Sequence, residues 1–293
     1  MKTKTNKIPQ LVFLIIIIVA VLVAVIVRLV QSKQTTTETP QETLAQPTET
    51  VVVTPTPTAT LPQPSSQISV SIDLPDYDGY SFTDSQKALI SNCAFVGDSI
   101  CSGLYVYGVL PQDIVVAVGN VGISQRPTWH RSHSQDIVVA VGNVGIRSID
   151  DYTFKVNGGE YNALDALKVI APKYVIFSMG MNDINITSAE TYCENYLNML
   201  KRTHDILPQS KLYVASITPI DAASSFASND KINRYNAAVK QAVEGAGYNY
   251  IDIATSLRDS TGGMNARFSG GDGIHINKSG YYSILNDVVK QVG

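Results

Sequence analysis

Residues 173–183 read KYVIFSMGMND. Tyr174, Val175, Ile176 and Phe177 are apolar at successive positions, so a strand here is apolar on both faces. Such strands belong to parallel sheets covered by helices on both sides. The run breaks at Gly180-Met181-Asn182-Asp183, a polar cluster at the strand's carboxyl end. Residues 93–99, CAFVGDS, repeat the design: the apolar run Cys93 to Val96 breaks at Gly97-Asp98-Ser99. Lys211 to Ile217 and Tyr248 to Ile253 are two more such strands. Helical patterns separate them, over Tyr161 to Ile170, Ser188 to Leu207 and Asp230 to Gly245, with a last one from about Lys278 to Val292. Thr83 is placed to cap a short helix ending at Ser91. Strands alternating with helices, joined by right-handed crossovers, predict a three-layer α/β/α sandwich around a parallel sheet. Ligands in such sheets bind outside the carboxyl ends of the strands.

The second core strand is ambiguous. Residues 112–123 and 135–146 carry the same twelve residues, QDIVVAVGNVGI. Two copies do not make a solenoid, and only one can be the core strand. Zero divergence fits a recent duplication or an error in the gene record equally. The second copy is the expected strand, because it runs directly into Arg147-Ser148-Ile149-Asp150. The first copy with Ser124 to Ser134 is then an inserted loop or edge strand. The reverse assignment is the alternative.

The N-terminal quarter does not read as a fold. Residues 1–10 hold Lys2, Lys4 and Lys7. Residues 11–30 form an apolar run broken only by Arg28, roughly long enough to span a bilayer core. The slight excess of positive charge before the run favours a cytoplasmic N-terminus. A cleaved signal peptide is the competing reading, but its apolar part is shorter and ends at a small-residue site, which is missing around Arg28 to Gln31. Residues 31–75 are rich in Thr, Pro, Gln and Glu, with too little apolar surface to offset ordering entropy. They read as a stalk stiffened by proline, or as a plain linker. The globular pattern starts near Asp76 and continues to residue 293.

The formal net charge is −3 and charged residues make up 16% of the chain. No basic excess invites nucleic acid. Cys93, Cys101 and Cys193 show no metal-like spacing. Cys93 and Cys101 read as buried free thiols, with a disulfide between them as the weaker alternative. His130 and His133 lack enough partners for a metal and read as a solvated loop. His204 reads as a helix-surface residue.

Three polar clusters supply different parts of one machine. Ser99 stands between a buried strand and a helix start, at the positive end of the helix dipole, where its N–H can face a developing oxyanion. Asn182, at another strand end, can offer its amide to the same oxyanion. His275, just before the last helix, can act as base for a serine hydroxyl, with Asp272 three residues earlier orienting its other ring nitrogen. Taken singly, each has an ordinary reading as a turn, cap or surface loop. Together they fall where a doubly wound sheet places its site.

The blocks FVGDS (95–99), GMND (180–183) and DGIH (272–275), in this order and with a Gly after the second strand, resemble those of the SGNH (GDSL-type) hydrolase family. The resemblance covers roughly Ser91 to the C-terminus. It implies a flavodoxin-like fold with five parallel strands and a catalytic set of Ser99, Asp272 and His275. It also implies an oxyanion hole of the Ser99 amide, a Gly amide and the Asn182 side chain. Gly145 is the expected glycine, although Gly122 of the first copy fits the same pattern. Ile100 stands where the family often has Leu. No metal or organic cofactor is implied.

The expected function is a serine esterase acting on short acyl groups, acetyl first, on a small ester or a cell-surface glycan. Short loops beside Ser99 and Asn182 fit a shallow site, and an outward-facing stalked domain meets wall polymers. An acyltransferase with the same triad and a non-catalytic glycan-binding module are the alternatives. The sequence does not give an oligomeric state.

Overall fold

The structure, a computed structural model, describes residues 72–117 and 144–293. The expected anchor (11–30), most of the stalk, both histidines of 130–133, Gly122, residues 118–123 of the first copy and 135–143 of the second lie outside the described residues. Among the described residues no helix is long and apolar enough to cross a membrane.

A capping box opens α1 (Asp84–Ser91): the Thr83 hydroxyl accepts from the Gln86 N–H while the Gln86 side chain takes the Thr83 N–H. Then come β1 (Cys93–Gly97), α2 (Ser99–Val106) and β2 (Val115–Ala117). A small hairpin follows, β3 (Phe154–Val156) and β4 (Gly159–Tyr161), then α3 (Ala163–Ile170) and β5 (Tyr174–Ser178). The chain ends α4 (Ala189–Ile206), β6 (Lys211–Ala215), α5 (Asn229–Gly245), β7 (Asn249–Ile251) and α6 (Lys278–Gln291).

The five core strands form one parallel sheet in the order β2-β1-β5-β6-β7. Helices α3, α4 and α5 pack as one layer, and α1, α2 and α6 as the other. All five residues of β1 are buried, and so are Val175, Ile176 and Phe177 of β5, as a sheet covered on both faces requires. The order reverses between β1 and β5: the chain leaves β1 for β2 on one side and continues from β5 on the other. The carboxyl ends of these two strands flank the topological switch point, and Ser99 and Asn182 follow them.

One expectation is overturned. The second core strand comes from the first copy of the repeat: Val115, Val116 and Ala117 pair with Phe95, Val96 and Gly97. Identical copies bury identical surface, so composition does not choose between them. Chain length does: α2 ends at Val106, and the first copy is reached through a short connection with little loop-closure entropy to lose. The second copy contributes its last residues, Val144, Gly145 and Ile146, which are buried beside the site. The strand and the glycine block are thus drawn from different copies.

Two further findings adjust the sequence reading. Packing begins before Asp76, since Leu74 is fully buried and the Tyr282 hydroxyl donates to the Pro75 carbonyl at 3.0 Å. The β3–β4 hairpin was not anticipated, although it turns on Asn157-Gly158, both at positive φ. That dipeptide is the preferred one for a two-residue hairpin turn. The cysteines are free, Cys93 and Cys101 in the core and Cys193 half-buried, and burial pushes the Cys93 thiol up to about 12.

Candidate active site

Strand β1 ends at Gly97, where a side chain would collide with Cys101 and with the Ser178 carbonyl of the neighbouring strand. Asp98 then caps α2, its carboxylate accepting from the N–H groups of Ile100 (3.0 Å) and Cys101. Intrahelical bonding starts with the Ser102 N–H donating to the Asp98 carbonyl. The Ser99 N–H is therefore left out of the helix's own bonding, as the first amides of every helix are. Asp98 also accepts from the Gly180 N–H, which ties the turn after β1 to the turn after β5. Burial pushes the Asp98 carboxyl up to about 6; the amides of Ile100, Cys101 and Gly180 favour its charge, and the nearby Asp183 opposes it.

His275 reaches this corner from the loop before α6. Its Nε2 lies 2.9 Å from Ser99 Oγ. Its Nδ1 lies 2.5 Å from Asp272 Oδ2. The other oxygen of Asp272 accepts from the N–H groups of Ile274 (2.9 Å) and His275 (2.8 Å). This local turn is why a spacing of three residues suffices to bring carboxylate and ring together. Partial burial works against the Asp272 charge, but the two amides and the His275 ring outweigh it and hold its pKa below the usual value.

The loop has its own supports. The Gly270 N–H donates to the His275 carbonyl at 2.7 Å, and Asn277, the cap of α6, donates its side-chain amide to the carbonyls of Arg267 and Ser269. The Asp221 N–H donates to the Gly273 carbonyl and its carboxylate accepts from the Ser269 hydroxyl, so the segment after β6 braces the loop as well.

The third group sits on the turn after β5. The hydroxyls of Tyr192 and Tyr196 both donate to the Met179 carbonyl and fix the end of the strand. Asn182 follows, its Nδ2 donating to the Val144 carbonyl at 2.8 Å. Asn182 and the segment beginning at Val144 are thereby joined. Gly145 is buried there, and its N–H donates to the Ser148 hydroxyl at 3.3 Å. A Cβ on Gly145 would come closer than 3.0 Å to the Asp183 carboxylate and the Arg147 guanidinium, so only glycine fits.

Ser99, His275 and Asp272 therefore form one hydrogen-bonded chain, and Asn182 and Gly145 form a second assembly linked to the first through Asp98 and Gly180. The sequence reading did not single out Arg147 or give Asp183 a role beyond the turn, yet both contact the glycine segment. The available signal was slight: Asp183 directly follows Asn182 in the turn after β5 and is followed by the apolar Ile184. His204 is exposed on α4.

The sequence profile of the GDSL-like lipase/acylhydrolase family matches residues 95–282, more than half of the chain and a span that holds every residue just described. The chain belongs to this family. It is accordingly an enzyme that hydrolyses ester bonds, built on the α/β fold of the SGNH hydrolases. A curated relative, the N-acylneuraminate cytidylyltransferase of Escherichia coli O18:K1:H7 (strain RS218 / NMEC), is 28% identical over 137 residues, 45% of this chain and 31% of the relative. The GDSL-family chain thus spans about a third of that protein's length. Among solved structures, a GDSL-like lipase from Bacteroides thetaiotaomicron VPI-5482 has a TM-score of 0.45 at 12% identity, with 69% of this chain and 88% of that chain covered. A family 3 carbohydrate esterase from Clostridium thermocellum has 0.43 at 19% identity, covering 68% and 93%. One from Talaromyces cellulolyticus has 0.42 at 21%, covering 69% and 99%.

Proposed function

We propose that this acylhydrolase works as a serine esterase with Ser99 as nucleophile, His275 as general base and Asp272 as the carboxylate that orients the ring. The observation that carries the reading is the 2.9 Å approach of Ser99 Oγ to His275 Nε2, with Nδ1 of the same ring 2.5 Å from Asp272. With the Nδ1 proton directed at Asp272, Nε2 is the ring's acceptor and takes the serine proton. Ser99 attacks the ester carbonyl, and His275 returns the proton to the leaving alcohol as the tetrahedral intermediate collapses. Water, activated by the same ring, then releases the acyl group.

The oxyanion donors in this reading are the Ser99 amide, the second N–H of the Asn182 side chain, whose first holds the Val144 carbonyl, and the Gly145 amide, which exchanges its long 3.3 Å bond to the Ser148 hydroxyl for the oxyanion. Each such donor is worth about 3 kcal/mol in the transition state.

The substrate we infer is a short acyl ester, acetyl first, on a cell-surface glycan. The exposure of the pair supports an open rim for a bulky alcohol part: the side chains of His275 and Asp272 are 39% and 54% exposed. The apolar run at 11–30 and the Thr/Pro-rich residues after it support an anchored, extracytoplasmic enzyme. Release of acetate from O-acetylated glycans and from small aryl esters, by the full chain and by Ser99→Ala, tests the proposal. Loss of both activities in the variant is expected; equal rates would remove Ser99 from the mechanism.

A further inference from the structure

The triad makes no use of Asp183, which is fully buried immediately after Asn182. Both of its oxygens are directed at the segment that carries Gly145. Oδ2 accepts from the Ile146 N–H at 3.0 Å, and Oδ1 pairs with Nη1 of Arg147 at 3.1 Å. The Arg147 backbone N–H also donates to it. With Asn182 holding the Val144 carbonyl, two adjacent residues grip the continuous stretch 144–147.

Asp183 is itself firmly placed. Its N–H donates to the Gly180 carbonyl, and its own carbonyl accepts from Ile186 and Thr187. Burial pushes its carboxyl above the usual range, against the pull of Ile146 and Arg147. A buried acid is costly to keep unless its partners are held in return. Its partners here all lie in one loop, and that loop bears the glycine whose missing side chain makes room for the carboxylate.

We propose that Asp183 is a positioning residue of the oxyanion hole, fixing the peptide plane of Gly145 through Ile146 and Arg147 while Asn182 fixes it through Val144. The inference rests on the reading of the Gly145 amide as an oxyanion donor. Asp183 touches no reacting atom. It acts by holding a donor that matters more in the transition state than in the bound substrate, so its loss lowers kcat and leaves KM nearly unchanged.

The test compares Asp183→Ala, Asp183→Asn and Arg147→Ala in the full chain, with short-acyl aryl esters as substrate. Each is assayed well below its own Tm. Val243→Ala, a core truncation in α5 remote from the loop, serves as a destabilised control. The expected kcat falls about 10- to 100-fold in Asp183→Ala and less in Asp183→Asn, which keeps an acceptor for Ile146; KM changes less than about threefold. The control loses Tm but keeps its kcat. In a double-mutant cycle with Asn182→Ala the two losses are less than additive, because both act on one loop.

A kcat within about twofold of wild type in Asp183→Asn and Arg147→Ala would overturn the proposal, as would a loss that appears in KM alone or full additivity with Asn182→Ala. If Asp183→Ala fails to fold, the Asn and Arg147 variants carry the test. Failure of the parent reading shows separately, as activity that survives Ser99→Ala.

Discussion

The phenol of Tyr281, buried in the first turns of α6, donates to the Ile100 carbonyl at 2.8 Å. This one bond ties the helix that follows His275 to the helix that begins at Ser99. Gly103 leaves the space for the Tyr281 ring. Two groups 176 positions apart in the chain are thus held at hydrogen-bonding distance by a contact only one residue from the nucleophile and six from the base. Tyr281→Phe removes the bond and little volume. A stability loss of about 1 kcal/mol by denaturant melt is expected, with a fewfold fall in kcat at unchanged KM. Wild-type kcat in a variant that melts earlier would show that the bond supports the fold and not the site.

Asp272→Asn leaves the loop geometry nearly intact, since an amide oxygen can still accept from Ile274 and His275. It removes the charge that favours the Nδ1–H form of the ring. A fall in kcat/KM on the order of 100- to 10,000-fold is expected, with Tm little changed. Steady-state kinetics checks it; a fall below tenfold would assign the ring's orientation to other groups.

Asp98 gives a pH dependence of stability. Its carboxyl is pushed up to about 6 by burial, from an ordinary value of 3.8. The folded state therefore holds that proton more tightly than the unfolded chain. The stabilisation is complete below the unfolded value and is lost as pH rises through about 6. The difference corresponds to roughly 3 kcal/mol. Urea melts from pH 4 to pH 7 are expected to show this decline above the background of other groups, and Asp98→Asn to flatten it. An identical slope in the variant would contradict the assignment.

The repeat gives a prediction about architecture. The described strand is Val115–Ala117 of the first copy, and the described glycine segment starts at Val144 of the second. Deleting residues 118–140 joins Ala117 to Val141 and regenerates one uninterrupted QDIVVAVGNVGI. The shortened chain is expected to fold with a Tm at or above that of the parent, because loop-closure entropy falls, and to keep its esterase activity. Insoluble or inactive product would show that the intervening residues are part of the working domain.

Much of the sheet was legible because its strands are apolar on both faces and end in polar clusters, a pattern that burial in a parallel sheet imposes on sequence. The Asp-Gly-Ile-His spacing was legible for a similar reason: a carboxylate three residues before a histidine closes a local turn. The choice between repeat copies was not, since identical residues carry no difference for periodicity to detect. Contacts made at long range, such as Asp183 with Ile146 or Tyr281 with Ile100, leave no local pattern. They depend on which strand ends the fold sets side by side.

The central claim is that Ser99 is the activated nucleophile, and covalent capture addresses it most directly. The full chain is treated with a fluorophosphonate and digested, and the modified peptide is mapped by mass spectrometry. One phosphonyl adduct on Ser99 is expected, with labelling abolished in Ser99→Ala and slowed at least tenfold in a variant lacking the His275 imidazole. An adduct on another serine, or labelling at an equal rate without His275, would contradict the account.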